Sequence, residues 1–173
     1  MKFWNYLKYD DFRYYLLAES VIKKILVPID GSKYSRKALV HAIEIANKFK
    51  SKLYLVTAVD TSDFPPGMLL SLLKKDTRLE KSIGEFVVAA KSIARKELLA
   101  DVAICKSKGT LNAYYDVVAG NPVESILKFE RGVHPDLIVI GSKGLHGVGQ
   151  VKALGSVSRK ISELAKCPVM IIH

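Results

Sequence analysis

The residues with the clearest chemical potential form a glycine-rich loop, Gly141-Ser-Lys-Gly144, and a second cluster further along the chain, Gly155-Ser-Val-Ser158. Glycine allows main-chain N–H groups to approach a phosphate without a Cβ in the way. Successive N–H groups at a helix N-terminus also attract anions. Lys143 adds a counter-charge, and hydroxyl donors come from Ser142, Ser156 and Ser158. The pattern favours a phosphate site over a glycine-rich surface turn that binds no ligand.

Two better-known phosphate motifs are absent from the sequence. No G-x-x-x-x-G-K-[ST] segment occurs, which excludes a P-loop, and no G-x-G-x-x-G follows the first predicted strand, which disfavours a dinucleotide site. The residues around Gly141 also resemble the I-G-x-x-G loop of RNA-binding KH domains. That loop joins two helices, whereas Asp136–Ile140 has the composition of a strand, so no specific nucleic-acid partner is expected.

Composition bounds the class of protein. A chain of 173 residues, 49% hydrophobic and 25% charged, fits one globular domain. It has no apolar run long enough for a transmembrane helix and no secretory signal, so we expect a cytoplasmic protein. Cys105 and Cys167 are far apart and the four histidines are scattered, so no metal site is predicted. The net charge of +10 attracts any polyanion and identifies none.

Apolar periodicity predicts alternating strands and helices from Lys24 onward. The predicted strands are Ile25–Ile29, Leu53–Val59, Ala113–Val118, Leu137–Ile140 and Pro168–Ile172. The predicted helices are Ser35–Phe49, Leu69–Val102, one starting at Pro122 with Asn121 as its N-cap, and Ser156–Lys166. In the long helix, apolar residues that include Phe86, Ile93 and Leu98 recur every three or four positions.

The alternating order predicts the fold class. Strand–helix–strand units require parallel strands with a crossover. We therefore predict an α/β fold, an open, doubly wound, five-stranded parallel sheet with helices on both faces. Ligands bind such sheets beyond the carboxyl ends of the strands, where the strand order reverses. The candidate loops are Asp30–Ser32, Asp60–Pro66, Gly120–Asn121 and Gly141–Gly155.

Residues 1–22 are predicted to be an aromatic extension, separate from a domain at residues 23–173. Seven of the fifteen aromatic residues lie between Phe3 and Tyr15, and their spacing gives only an imperfect helical stripe. We expect this segment to cap the core or to pack on a partner subunit. Contact with a membrane surface is the alternative, although Asp10 and Asp11 disfavour it.

Four segments together resemble the universal stress protein family. Within residues 24–173 they are Ile25-Leu-Val-Pro-Ile-Asp-Gly-Ser32, Asp136-Leu-Ile-Val-Ile-Gly-Ser142, Gly155-Ser-Val-Ser158 and Cys167-Pro-Val169. The set is specific, although each segment alone is not. The resemblance implies an adenine nucleotide alpha hydrolase-like fold and a small regulatory module of the stress response. It also implies a homodimer through the last strand, which is apolar and would aggregate if left bare at the sheet edge.

The resemblance also implies ATP as the ligand, with or without Mg²⁺. Family members that bind ATP carry G-x-x-G, nine residues and then G-[ST]. Gly141, Gly144, Gly155 and Ser156 match, with ten residues between Gly144 and Gly155. The extra residue costs about 0.1 kcal/mol in loop-closure entropy. The other implied contacts are Pro28, Ile29 and Asp30 at the adenine and ribose, main-chain bonds from Ala58 to the adenine, and Val157 and Ser158 at the phosphates.

Several alternatives stay open at this point. The longer spacer allows a dimeric interaction module of the same fold that binds no nucleotide. Asp30, Lys143 and His146 near the expected phosphates allow a slow ATPase, although no paired carboxylates for magnesium and no base that would activate water are evident. RNA binding is the least favoured function. Asp30 also suits a purely structural role as the cap of the Gly31–Ser32 turn.

Overall fold

The computed structural model describes residues 22–62, 77–145 and 154–173, with the side chains of the long second helix described from Gly84 onward. Its elements are β1 (Lys24–Pro28), α1 (Lys33–Phe49), β2 (Lys52–Asp60), α2 (Thr77–Ser107), β3 (Ala113–Gly120), α3 (Pro122–Val133), β4 (Leu137–Gly141), α4 (Ser156–Leu164) and β5 (Val169–Ile172). The strands form one parallel sheet in the order β3-β2-β1-β4-β5. The predicted open, five-stranded parallel α/β fold is therefore confirmed.

Helices cover both faces of the sheet. One core joins α1 and α2 to the strands and includes Val27, Leu39, Leu55 and Leu98. A second core joins α3 and α4 to the opposite face and is built from Leu26, Val56, Val123, Ile126, Leu127, Ile138, Ile140 and Ile161. Alternate residues of a strand point to opposite faces, so the neighbours Leu26 and Val27 belong to different cores.

Strand order reverses between β1 and β4, and this reversal positions the candidate site. From β1 the chain moves outward to β2 and β3, and α3 then returns it across the sheet to β4 and β5. Adjacent loops therefore diverge at the carboxyl ends of β1 and β4, which leaves a crevice between them. The loop after Gly141 follows a buried strand, unlike the KH-type loop between two helices.

Several predicted boundaries were wrong by a few residues. Helix α1 starts at Lys33 because Ser32 is its N-cap and accepts a hydrogen bond from the Ser35 main-chain N–H at 3.1 Å. Helix α2 continues past Val102 to Ser107, β3 continues to Gly120, and α4 ends at Leu164. Asn121 caps α3 as predicted, with Pro122 in its first turn.

The apolar spacing of α2 does not correspond to one buried face. Ala94 and Leu98 are buried, but Phe86 is 57% exposed and Ile93 is 62% exposed. Several predicted features lie outside the described residues: the aromatic segment, the Pro65-Pro66-Gly67 loop, residues 69–76 of the long helix, and His146.

Candidate functional site

A cavity of about 660 Å³ lies at the carboxyl ends of β1, β2 and β4, in the crevice where the strand order reverses. Its volume is within the range of small-molecule and cofactor sites. Eleven of the twelve predicted site residues line it: Pro28, Ile29, Asp30, Ala58, Gly141, Lys143, Gly144, Gly155, Ser156, Val157 and Ser158. The fold thus brings three sequence-distant loops to one cavity.

The N-terminus of α4 forms one end of the cavity. Its N-cap, Gly155, provides no side-chain hydrogen bond, and the first bond within the helix runs from the Arg159 N–H to the Gly155 carbonyl at 3.0 Å. The amides of Ser156, Val157 and Ser158 therefore precede the first helical hydrogen bond, and all three residues line the cavity. These amides and the positive end of the helix dipole suit an anionic ligand.

Ser142 lies behind the cavity wall and joins the glycine loop to α4. Its carbonyl oxygen accepts hydrogen bonds from the Gly155 N–H at 2.8 Å and from Ser158 Oγ at 2.9 Å. Its side chain is 1% exposed, and its hydroxyl has no partner among the described residues. The hydroxyls of Ser142 and Ser158, which the sequence suggested as ligand donors, are thus buried or already bonded, whereas Ser156 is exposed at the helix start.

Gly141 is required by packing at the end of β4. A Cβ at this position would lie 2.6 Å from the Tyr34 carbonyl carbon and 2.7 Å from the Ser35 nitrogen. Only glycine therefore allows the first turn of α1 to lie against this strand. Sequence reasoning attributed Gly141 to phosphate approach, and the structure supplies a different physical reason for it.

Asp30 connects the β1 loop to the glycine loop. Its Oδ1 accepts a hydrogen bond from the Ser32 N–H at 3.0 Å, which caps a turn in which Gly31 has a φ of 81°. A Cβ at Gly144 would lie 2.9 Å from Asp30 Oδ2, so the two residues face each other closely. Asp30 thus has the turn-capping role, and its second carboxylate oxygen faces Gly144, which also lines the cavity.

Lys143 supplies a basic side chain to the cavity wall, and its main chain is held in place. The Lys143 carbonyl accepts a hydrogen bond from Ser32 Oγ at 3.2 Å, so the N-cap of α1 also anchors the glycine loop. Asp30, Ser32 and Lys143 therefore form a continuous polar connection between the two loops.

The main chain of Ala58 lies at a strand edge that β1 no longer covers. The last main-chain bond between β2 and the end of β1 runs from the Ile29 N–H to the Val56 carbonyl at 2.8 Å. The Ile29 carbonyl accepts a hydrogen bond from Thr57 Oγ1 at 2.9 Å. Residues two apart in a strand direct their main-chain groups to the same side. The N–H and C=O of Ala58 therefore face the side that β1 leaves when the chain turns at Gly31.

Sequence reasoning missed part of the wall. Pro122 and Ile126 of α3 line the cavity, as does Thr57 of β2, whereas Asp60, which also lines it, begins the predicted candidate loop Asp60–Pro66. The rule that ligands bind at the carboxyl ends of strands pointed to loops only. The chain path could have predicted this part of the wall. After β3 the chain must return across the sheet through α3, which brings the first turn of α3 over the same crevice.

Metal and thiol chemistry have little support at this site. Among the described residues, no three histidine, cysteine, aspartate or glutamate side chains are grouped as metal ligands. Burial raises the pKa of the Cys105 thiol to about 11, and burial with the nearby Glu130 raises that of Cys167 to about 11. Both thiols are protonated at neutral pH and lie outside the cavity.

Comparison with known proteins identifies the family. The model of the universal stress protein family matches residues 22–173. The chain belongs to the universal stress protein family. It is 30% identical over 166 residues to universal stress protein MJ0531 of Methanocaldococcus jannaschii, an alignment covering 92% of this chain and 91% of its relative.

Solved universal stress proteins share this fold. UspA from Lactobacillus plantarum superposes with a TM-score of 0.75 at 24% identity, covering 88% of this chain and 98% of UspA. A universal stress protein from Archaeoglobus fulgidus, solved in complex with dAMP, gives a TM-score of 0.57 at 20% identity, covering 88% and 99% of the two chains. A further member, solved in complex with cAMP, gives 0.55 at 24% identity, covering 88% and 97%.

Proposed function

We propose that this universal stress protein binds ATP in the cavity and acts as a nucleotide-dependent regulatory module. One observation carries the proposal: the cavity joins an α4 N-terminus without a side-chain cap to the strand edge at Ala58 that β1 leaves. The first suits phosphates and the second suits a base. The complexes of two family members with dAMP and cAMP support an adenine nucleotide as the ligand class.

The phosphate end combines main-chain donors with a cation. Amides of Ser156, Val157 and Ser158 precede the first helical hydrogen bond, and Lys143 lines the same cavity. Charge-assisted hydrogen bonds to an ionised phosphate are roughly twice as strong as neutral ones. We therefore expect affinity to rise from adenosine to AMP to ATP as phosphates are added.

The base end favours adenine over guanine. The Watson–Crick edge of adenine offers an acceptor, N1, beside a donor, the N6 amino group, and it complements the N–H and C=O of Ala58. Guanine presents a donor at N1 and an acceptor at O6, so the same main-chain pair would leave groups unsatisfied. Asp30 Oδ2 at the cavity suits the ribose hydroxyls, and Pro28 and Ile29 supply apolar surface to the base.

Isothermal titration calorimetry with ATP, GTP, AMP and adenosine tests this proposal. ATP should bind more tightly than AMP and adenosine, and GTP should bind at least about tenfold more weakly than ATP, because unpaired buried polar groups are costly. Lys143→Ala should lower the ATP affinity about tenfold or more while changing adenosine binding little.

The matched control is Lys160→Ala, which removes an exposed lysine on α4 outside the cavity wall. This variant should bind ATP as the native chain does. Equal losses of ATP affinity in both variants would show that Lys143 acts only through the net charge of the protein. No binding of any adenine nucleotide at millimolar concentration would overturn the proposal and leave an interaction module that binds no nucleotide.

We also propose that the protein forms a homodimer through β5. Among the described residues this strand pairs with β4 alone and lies at the edge of the sheet, with Met170 40% exposed. An apolar edge strand is stabilised by a partner strand. Light scattering after gel filtration should give twice the monomer mass, and Met170→Glu should lower it. Leu164→Glu, which alters an apolar residue on α4 that is 58% exposed, should not.

A further inference from the structure

Two short segments lie side by side at the amino-terminal edge of the sheet, opposite the cavity. Residues 47–53 join the end of α1 to β2, and residues 106–112 join the end of α2 to β3. Neither contains an aspartate or glutamate. Together they expose five lysines, which with the exposed Leu111 are called the basic edge: Lys48, Lys50, Lys52, Lys106 and Lys108.

Hydrogen bonds hold the two segments against each other. The Asn47 side-chain amide donates to the Lys108 carbonyl at 2.7 Å, and its oxygen accepts from Thr110 Oγ1 at 2.6 Å. The Leu53 N–H donates to the Asn112 carbonyl at 2.9 Å. The exposed lysines therefore belong to two segments that are held against each other.

Helix ends account for only part of this charge. Lys48 and Lys106 lie in the last turns of α1 and α2, where a cation stabilises the negative end of the helix dipole. Lys50 is the left-handed C-cap of α1, Lys52 begins β2, and Lys108 follows α2. Surplus like charge destabilises a folded protein by self-repulsion, so an anionic partner would stabilise this edge.

We propose that the basic edge docks the protein on the surface of an anionic lipid bilayer. Leu111 is 74% exposed between Lys108 and β3, the largest exposure among the exposed large apolar side chains of the described residues. Lysines around a protruding apolar side chain match a membrane interface, where the cations meet acidic headgroups and the apolar group enters the acyl boundary.

The same features favour a bilayer over a nucleic acid. Leu111 gains nothing from contact with a phosphodiester backbone. The one aromatic residue of the two segments, Phe49, is half-buried, and the exposed Tyr114 of β3 already stacks on Tyr54, so neither offers a free ring for base stacking.

Co-sedimentation of the full chain with lipid vesicles tests the proposal. Vesicles of phosphatidylcholine and phosphatidylglycerol in equal parts should bind the protein, and vesicles of phosphatidylcholine alone should not. The triple variant Lys50→Gln, Lys52→Gln, Lys108→Gln should weaken binding about a hundredfold, at about fivefold per lysine. Leu111→Ser should weaken it further, and added salt should release the native protein.

Matched controls separate a defined edge from general basicity. The variant Arg95→Gln, Lys96→Gln, Lys160→Gln removes the same charge from exposed positions on the bodies of α2 and α4, and Leu99→Ser removes an exposed leucine from α2. Both should bind vesicles almost as well as the native chain. Equal losses in the two triple variants would overturn the proposal. So would an edge-dependent affinity for duplex DNA or RNA without vesicle binding. Circular dichroism of each variant confirms folding.

Discussion

The two edges of the sheet differ in their charge and in whether helices begin or end there. At the carboxyl edge α1, α3 and α4 begin, so positive helix ends surround the cavity, and Asp30 and Asp60 line its wall. At the amino edge α1 and α2 end, and this edge carries more lysines than the stabilisation of the two negative helix ends accounts for. One parallel fold thus provides two anion-attracting edges by different means, main-chain dipoles at one and side-chain charges at the other.

The largest expected effect comes from replacing the glycine that closes the carboxyl edge. Gly141→Ala places a Cβ within 2.7 Å of the main chain of α1, which cannot move without disturbing its first turn. We expect the free energy of unfolding to fall by about 3 kcal/mol in urea denaturation. Gly132→Ala is the control, because open space surrounds Gly132 in α3 and alanine should stabilise the helix slightly. Equal stability of the two variants would contradict the packing role.

The second prediction separates the two edges functionally. Lys143→Ala should weaken ATP binding about tenfold or more and leave vesicle binding unchanged. The amino-edge triple variant should show the reverse pattern. ATP binding and vesicle binding are both measured on each purified variant. A variant that loses both ATP binding and vesicle binding would show that the two edges are coupled.

A smaller effect is expected from Ser158, whose hydroxyl donates to the Ser142 and Gly155 carbonyls. Ser158→Ala should lower the free energy of unfolding by about 1 kcal/mol while changing ATP affinity little, because the amides rather than this hydroxyl carry the proposed contact. Ser162→Ala, which removes an exposed bond to Arg159 in the same helix, is the control. A large loss of ATP affinity in Ser158→Ala alone would assign its hydroxyl to the ligand.

The smallest effect concerns the thiol beneath the amino edge. The pKa of Cys105 is about 11 in the folded chain and 9.0 without burial, so above pH 9 the unfolded chain releases this proton first. The stability that Cys105 contributes is present below pH 9 and is lost as the pH rises towards 11. Between pH 7 and 9 the native chain should lose roughly half a kcal/mol more stability than Cys105→Ala does. Parallel urea titrations check this, and identical pH dependence would refute it.

Periodicity was enough to predict the fold because the two central strands, β1 and β4, are almost wholly buried. Leu137–Gly141 is apolar throughout and each of its residues is buried, so the pattern identifies it as a strand covered on both faces. It was not enough for α2, where Phe86 and Ile93 follow the helical spacing and yet face outward. Spacing shows that residues share a face, but it does not show whether another element covers that face.

The composition of the cavity was predicted better than the roles of its residues. Glycines and serines pointed to the right loops, yet Gly141 is fixed by the approach of α1, and Ser142 is turned into the interior. The role of Gly141 depends on its contact with Tyr34 and Ser35, more than a hundred positions away, and the bond between Ser32 and Lys143 is equally distant in sequence. No local pattern carries that information.

The bond from the Gly155 N–H to the Ser142 carbonyl has a consequence for how loop length can vary in this fold. It joins the two ends of the loop next to the helix start, so this contact fixes the position of Gly155 whatever the number of residues between them. The spacing between Gly144 and Gly155 can then change from nine to ten residues without displacing the amides of α4. Closure at the base, rather than a fixed residue count, is therefore the feature that a lengthened loop must retain.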